Sequence, residues 1–173
     1  MEIQLRPWDS SMKAELADLC NRADRSFLSD RMPSPYTEKD AEFWLGYVKE
    51  REGRDGVFRE ILVDGIPAGS ISVERKADVF CRDGELGYHL MKEYWSKGIM
   101  TKAVKEISAI AFEQLSLLRI SGTVYAANTA SGRVLEKNGF QQEGRIRSGA
   151  YKNGQVYDLL SYGILREDFE HNA

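Results

Sequence analysis

The stretch Glu85-Leu86-Gly87-Tyr88-His89-Leu90-Met91, with Tyr94-Trp95-Ser96-Lys97-Gly98-Ile99-Met100-Thr101 just beyond it, runs an extended segment through a glycine turn into a helix. Met100, Ala103, Val104, Ile107, Ile110 and Ala111 recur at helical spacing, which predicts a helix over roughly 98–115. Leu118 to Tyr125 reads as a further strand. Strand, helix and strand in that order form a crossover, so the two strands are expected to lie parallel and adjacent. The first N–H groups of the helix lack intrahelical partners, and its dipole adds partial positive charge there. Gly98 lets an anion approach the backbone closely, and Lys97 and Lys102 add local charge. The turn is neither GxxxxGK[ST] nor GxGxxG, so physics alone gives an anion site and no more.

The flanks read as antiparallel. Upstream, Val57–Val63 and Ile66–Val73 flank Asp64-Gly65, a two-residue hairpin signal. Before them, Ile3–Arg6 is a short strand stopped by Pro7. Asp9 or Ser10 is expected to cap a helix with the apolar face Met12, Leu16, Leu19 and Cys20. Ser29 to Thr37, with Pro33 and Pro35, reads as a loop. Thr37 and Asp40 then open a helix whose expected face is Phe43, Trp44, Tyr47 and Val48. Downstream, Ala130–Asn138 is a short helix stopped by Asn138-Gly139, and Asn153-Gly154 marks a second hairpin. The order β-α-α-β-β-β-α-β-α-β-β implies one α/β domain over residues 1–173, a mixed, largely antiparallel sheet with one central parallel pair and flanking helices.

Composition narrows the partners. The net charge of −3 gives no broad basic footprint, so nucleic acid is not expected. No apolar run is long enough to span a bilayer, and the first residues lack a signal-peptide layout. Cys20 and Cys81 form no CxxC pair, so neither a metal site nor a disulfide framework is expected, and a cytoplasmic setting fits.

Glu85–Leu90 leading into Tyr94–Thr101, then Asn128-Thr129-Ala130-Ser131 leading into Leu135-Glu136-Lys137-Asn138-Gly139-Phe140, resembles the GNAT superfamily. More narrowly it resembles the RimJ/RimL type, the branch of protein N-terminal (ribosomal-protein alanine) acetyltransferases. Pro33–Thr37 and Tyr151–Gly154 also sit where that branch has similar text. The resemblance covers nearly the whole chain and implies an acetyl-CoA-dependent N-acetyltransferase acting on a primary amine, such as a protein N-terminus, as a monomer or homodimer. It implies that the two parallel strands splay, with the pantetheine arm pairing along Tyr88, His89, Leu90 and Met91. Ser96, Lys97, Gly98, Ile99, Met100 and Thr101 would take the pyrophosphate, Asn128 would bond the pantetheine or acetyl end, and a backbone N–H near Leu90 would polarise the thioester carbonyl. Two departures stand out. Met100 is bulkier than the small residue usual there, which implies contact through its amide. The tyrosine acid that many GNATs carry seven residues after the Asn is replaced by Leu135.

The implied chemistry needs a neutral amine and a way to receive the departing thiolate. Glu85 is the first candidate base, by family analogy, against the alternative of a solvated charge at a strand end. His89, on the same strand face as Glu85 and Gly87, is the second. Ser131 is the candidate acid or thiolate partner, against the alternative of a helix cap. Cys81 has no nearby base and is not expected to act. Arg133 and Lys137 contact phosphates or form a solvated face; Phe27, Tyr36 and Trp44 line the acceptor side or belong to the core. One alternative acceptor is a small amine such as a polyamine, amino sugar or antibiotic, an acidic acceptor pocket favouring the polyamine, and a CoA sensor without catalysis is the alternative of another class.

Overall fold

The computed structural model describes residues 1–172. In chain order these form β1 (Ile3–Pro7), α1 (Lys13–Arg22), α2 (Glu38–Arg51), β2 (Gly56–Val63), β3 (Ile66–Arg75), β4 (Asp83–Leu90), α3 (Ile99–Gln114), β5 (Arg119–Tyr125), α4 (Thr129–Lys137), β6 (Gln141–Lys152), β7 (Gln155–Leu165) and α5 (Arg166–His171). Seven strands make one sheet in the order β1-β2-β3-β4-β5-β7-β6. Only β4 and β5 run parallel.

The two hairpin signals act as expected. Asp64 and Gly65 have φ of 50° and 77°, and Asn153 and Gly154 have 50° and 78°. Both turns need two left-handed residues, which Asp-Gly and Asn-Gly supply at low cost. Thr37 and Asp40 form a reciprocal capping box at the start of α2.

Three expectations are corrected. Helix α1 starts after Met12 with no side-chain cap, because Asp9 accepts instead from the Ser11 N–H at 2.8 Å. Phe43 is 82% exposed; α2 buries Ala41, Leu45 and Val48, a face turned away from Phe43. The short α5 was not expected; it follows β7 directly, and its Arg166–Glu170 pair at 2.9 Å has the i,i+4 spacing.

The sheet separates two cores. On one face α3 and α4 bury Ile99, Val104, Ile107, Phe112 and Leu135 against Ile71, Val73, Leu86 and Ile120. On the other, α1 and α2 enclose Trp8, Leu16, Leu45, Phe58 and Met91. Strands β4 and β5 pair over only three residues, Asp83↔Arg119 to Glu85↔Ser121. A polar knot holds that end. Lys76 Nζ donates to Asp83 at 2.7 Å and to Ser121 at 2.8 Å, Ser121 donates to Asp83 at 2.8 Å, and Arg119 bridges to Glu143 at 2.7 Å. Beyond Glu85 the two strands diverge, and the gap between them is the floor of the site.

Candidate active site

Strand β4 carries unused backbone groups into this gap. Met91 donates its N–H to Ala68 at 2.8 Å, and a Cβ on Gly69 would collide with the His89 carbonyl oxygen, so residues 89 and 91 bond toward β3. Alternation along a strand then turns the N–H and C=O of Tyr88 and Leu90 toward β5. There, after Glu85, no strand pairs with them among the described residues. The Leu90 carbonyl accepts from Trp95 Nε1 at 2.6 Å. The groups of Tyr88 and the Leu90 N–H remain as an open edge for an extended, amide-bearing chain.

The turn into α3 lies at the end of this edge. Gly98 is the N-cap residue, left-handed at φ 76°, with no side-chain cap and no acidic residue in the first turn. Ser96 is also left-handed, at φ 60°. Ile99 and Met100 bury their side chains in the core. The bulk of Met100 therefore points away from the turn, and what Ile99, Met100 and Thr101 offer there is backbone N–H. Lys97 donates to the Glu93 carbonyl at 2.7 Å, which holds it over the turn. From the turn and α4 the lining residues include Lys97, Arg133 and Lys137 and no carboxylate. This is a local cationic end on a chain of net charge −3.

Helix α4 forms the opposite wall. Asn128, not Ser131, is its cap: the Asn128 side chain accepts from the Ser131 N–H at 3.3 Å. The Ser131 hydroxyl instead lies 2.6 Å from the Tyr88 hydroxyl. Tyr88 projects to the α3–α4 face, opposite in parity to Glu85. Burial pushes its hydroxyl up to about 12, against the lowering effect of the bond to Ser131. Leu135 is buried in the core and offers no hydroxyl to this wall.

Glu85, Gly87 and His89 face the other way and oppose Glu74, Ser72 and Ser70 of β3. Glu85 is exposed on the groove, and its carboxylate makes no hydrogen bond or ion pair to the described residues. Tyr47 donates to Glu74 at 2.6 Å. His89 is buried at Nδ1 with no hydrogen-bond partner there. Burial, with the charge of Arg25 adding, lowers its pKa to about 4, so near neutral pH it is uncharged and a weak base.

Glu85, Tyr88, His89, Leu90, Ser96 to Thr101, Asn128 and Ser131 all line one groove of about 840 Å³. Met91 does not: its side chain is in the α1–α2 core and its N–H is spent on β3. Of the three aromatics considered for the acceptor side, Phe27 lines the groove, its ring tilted against that of Tyr125 at 5.4 Å, whereas Tyr36 and Trp44 are in the core cluster. Cys81 is exposed and outside the groove. Among the described residues no His, Cys, Asp and Glu cluster could hold a metal ion. No helix there is long and apolar enough to cross a membrane.

A divergent parallel pair beside an uncapped helix N-terminus is the expected layout, and residues 2–141 match the acetyltransferase (GNAT) domain family. The chain belongs to the GNAT family. It is 37% identical over 116 residues to the putative ribosomal N-acetyltransferase YdaF of Bacillus subtilis, covering 67% of this chain and 63% of that protein. The chain thus spans somewhat less than two thirds of that relative's length. It is 44% identical over 133 residues to the probable N-acetyltransferase YjcK of the same organism, covering 77% of this chain and 67% of that one. A ribosomal-protein-S5-alanine acetyltransferase from Vibrio fischeri superposes with a TM-score of 0.84 at 23% identity, covering 98% of this chain and 96% of the other, which shows the shared GNAT fold.

Sequence reasoning missed two members of the site. The Tyr88 hydroxyl carries no signal in the sequence, because its partner Ser131 is 43 residues away. Glu74 was overlooked although the Asp64-Gly65 hairpin and the strand beyond it put it opposite Glu85.

Proposed function

We propose that the chain transfers the acetyl group of acetyl-CoA to the α-amine of a protein or peptide N-terminus. The observation that carries this reading is the open edge of Tyr88 and Leu90 ending at the uncapped turn of α3, in one groove. An extended pantetheine chain with a pyrophosphate at one end needs those two things side by side. Acetyl-CoA supplies an activated acetyl thioester. The backbone N–H groups of Ser96 to Thr101 hold the pyrophosphate, with Lys97, Arg133 and Lys137 adding charge. The Leu90 N–H and the N–H and C=O of Tyr88, all directed into the gap, share the pantetheine amides and the thioester carbonyl between them, the N–H on the thioester polarising it. Asn128 presents its side-chain amide from the far wall.

The acceptor enters from the Phe27 and Glu85 side. A free α-amine has a pKa of about 7.7–8.0, against about 10.4 for Lys, so an N-terminus sheds its proton with only modest help. Glu85, exposed and unpaired on the groove, receives that proton directly or through water; neutral His89 is too weak a base for the part. The resemblance to a putative ribosomal N-acetyltransferase supports a protein acceptor and a cytoplasmic setting. Glu74 opposite Glu85 favours one second reading, a small polycationic amine drawn by two carboxylates.

The test is CoA release from acetyl-CoA over three acceptors: lysine-free peptides with free N-termini, N-blocked peptides containing Lys, and polyamines. Turnover on the first set alone is expected. Turnover on polyamines alone overturns the peptide assignment. Tight acetyl-CoA binding with no turnover on any amine reduces the chain to a sensor.

A further inference from the structure

The tyrosine absent at Leu135 has a counterpart on β4. The Tyr88 hydroxyl lies 2.6 Å from Ser131 Oγ and 3.4 Å from the Ser131 carbonyl oxygen, the second at the limit of a useful bond. Two hydroxyl protons share this single contact. A phenol is a far stronger donor than an aliphatic alcohol, so Tyr88 donates and Ser131 Oγ accepts. That spends the Tyr88 proton and leaves the Ser131 proton to find another acceptor. The Ser131 N–H is already held by Asn128, and no second partner for Ser131 Oγ occurs among the described residues. Ser131 lines the groove, so its remaining direction is into the groove.

We propose that Tyr88 is a positioning residue that turns the Ser131 hydroxyl proton onto the sulfur of bound CoA, so that the pair stabilises the departing thiolate by hydrogen bonding. This rests on the acetyl-CoA reading above. In the transfer the amine nitrogen bonds to the acetyl carbon and its proton goes to Glu85 or water. The carbon–sulfur bond breaks with its electron pair on sulfur. Ser131 and Tyr88 keep their protons. A thiol ionises near 8.5, and burial holds Tyr88 up at about 12, so full transfer from Tyr88 to the thiolate is disfavoured by a factor of about a thousand or more. The thiolate then takes its proton from solvent. The hydroxyl pair thus does by donation what a tyrosine on α4 does in many relatives, without acting as an acid.

The test is the ionisation of the CoA thiol while bound, followed by thiolate ultraviolet absorbance against pH. Wild-type protein is expected to lower the bound thiol pKa by about one unit relative to Tyr88→Phe, the tenfold preference one good hydrogen bond gives. Ser131→Ala is expected to match Tyr88→Phe, and the double variant to add nothing. Ser131→Thr, which keeps a hydroxyl, restores the shift. Turnover of Tyr88→Phe falls about tenfold with little change in KM for acetyl-CoA. Equal thiol pKa values in wild type and Tyr88→Phe, with CoA bound to both, overturn the pair's role alone. Failure of wild-type protein to bind CoA overturns the acetyl-CoA reading and this role with it. If Tyr88→Phe does not fold, Ser131→Ala, altered only at the groove wall, decides the matter by the same measurement.

Discussion

Replacing Gly98 separates the strain of the turn from its use as an anion seat. Gly98 sits at φ 76°, and a Cβ built there meets no protein atom within 4 Å. The protein therefore has room for a side chain, and the cost of substitution is conformational. For Ala in a left-handed position this is about 1–2 kcal/mol, and for Asn considerably less. In a chain of this length Gly98→Ala should lower Tm by roughly 2–8 °C, and Gly98→Asn by less than about 2 °C. Binding responds differently. A side chain on the groove side of the turn holds a phosphate off the N–H groups of Ile99 and Met100. Losing one hydrogen bond to a charged group costs about 1.5–3 kcal/mol, or roughly tenfold to a hundredfold in affinity. Titration calorimetry with CoA and with pantetheine, which lacks the pyrophosphate, provides the check. Gly98→Asn should weaken CoA by that factor and leave pantetheine within about twofold. Unchanged CoA affinity, or equal loss for both ligands, refutes the seat.

Burial raises the Glu60 carboxyl from 4.5 to about 7, although Arg6 at 2.8 Å pulls the other way. A carboxyl whose folded pKa lies above its unfolded value binds more protons when folded. Its stabilisation is full below about pH 4.5 and is lost as pH rises through about 7. Denaturant unfolding at pH 4.5 and pH 7.5 should show this loss, up to roughly 2–3 kcal/mol, and Glu60→Gln should flatten it. The second concerns Lys152, only 6% exposed, whose Nζ donates to the Leu28 carbonyl at 2.6 Å and to Asp30 at 2.8 Å. This ties the β6–β7 hairpin to a loop that lines the groove at Phe27, Leu28 and Ser29. Lys152→Met should raise acceptor KM by about fivefold to thirtyfold at constant acetyl-CoA affinity, whereas Asp30→Ala, at an exposed carboxylate, should change it less than about twofold.

The elements that were legible in the sequence were those set by neighbours in the chain. Asp64-Gly65 and Asn153-Gly154 needed only their own backbone, Thr37 with Asp40 only one helical turn, and α3 only its spacing of apolar residues. The misplaced Phe43 shows the limit. Helical periodicity named a face, but the docking of α2 on α1 and β2 chose the one with Ala41, Leu45 and Val48. The same holds at the site. The turn at Gly98 is local and was found. The contact of Tyr88 with Ser131 depends on how far β4 and β5 diverge, which no short window of sequence records. Nor does any window show that Met91 spends its N–H on Ala68 while Leu90 keeps its own free.

The brevity of the β4–β5 pairing also shapes how the molecule opens. Among the described residues the ladder joining β1–β4 to β5, β7 and β6 is three residues long, with the Asp83 knot beside it. The sheet is in effect two half-sheets, with α3 packed on β1, β2 and β3 of one and joined to the other through α4, which packs on β5 and β6. Amide exchange should therefore divide at this seam, the N–H groups of each half-sheet interior exchanging through separate openings. A chain-like ligand bound along Tyr88 and Leu90 would bridge the divide as a surrogate strand and couple the two units into one cooperative body.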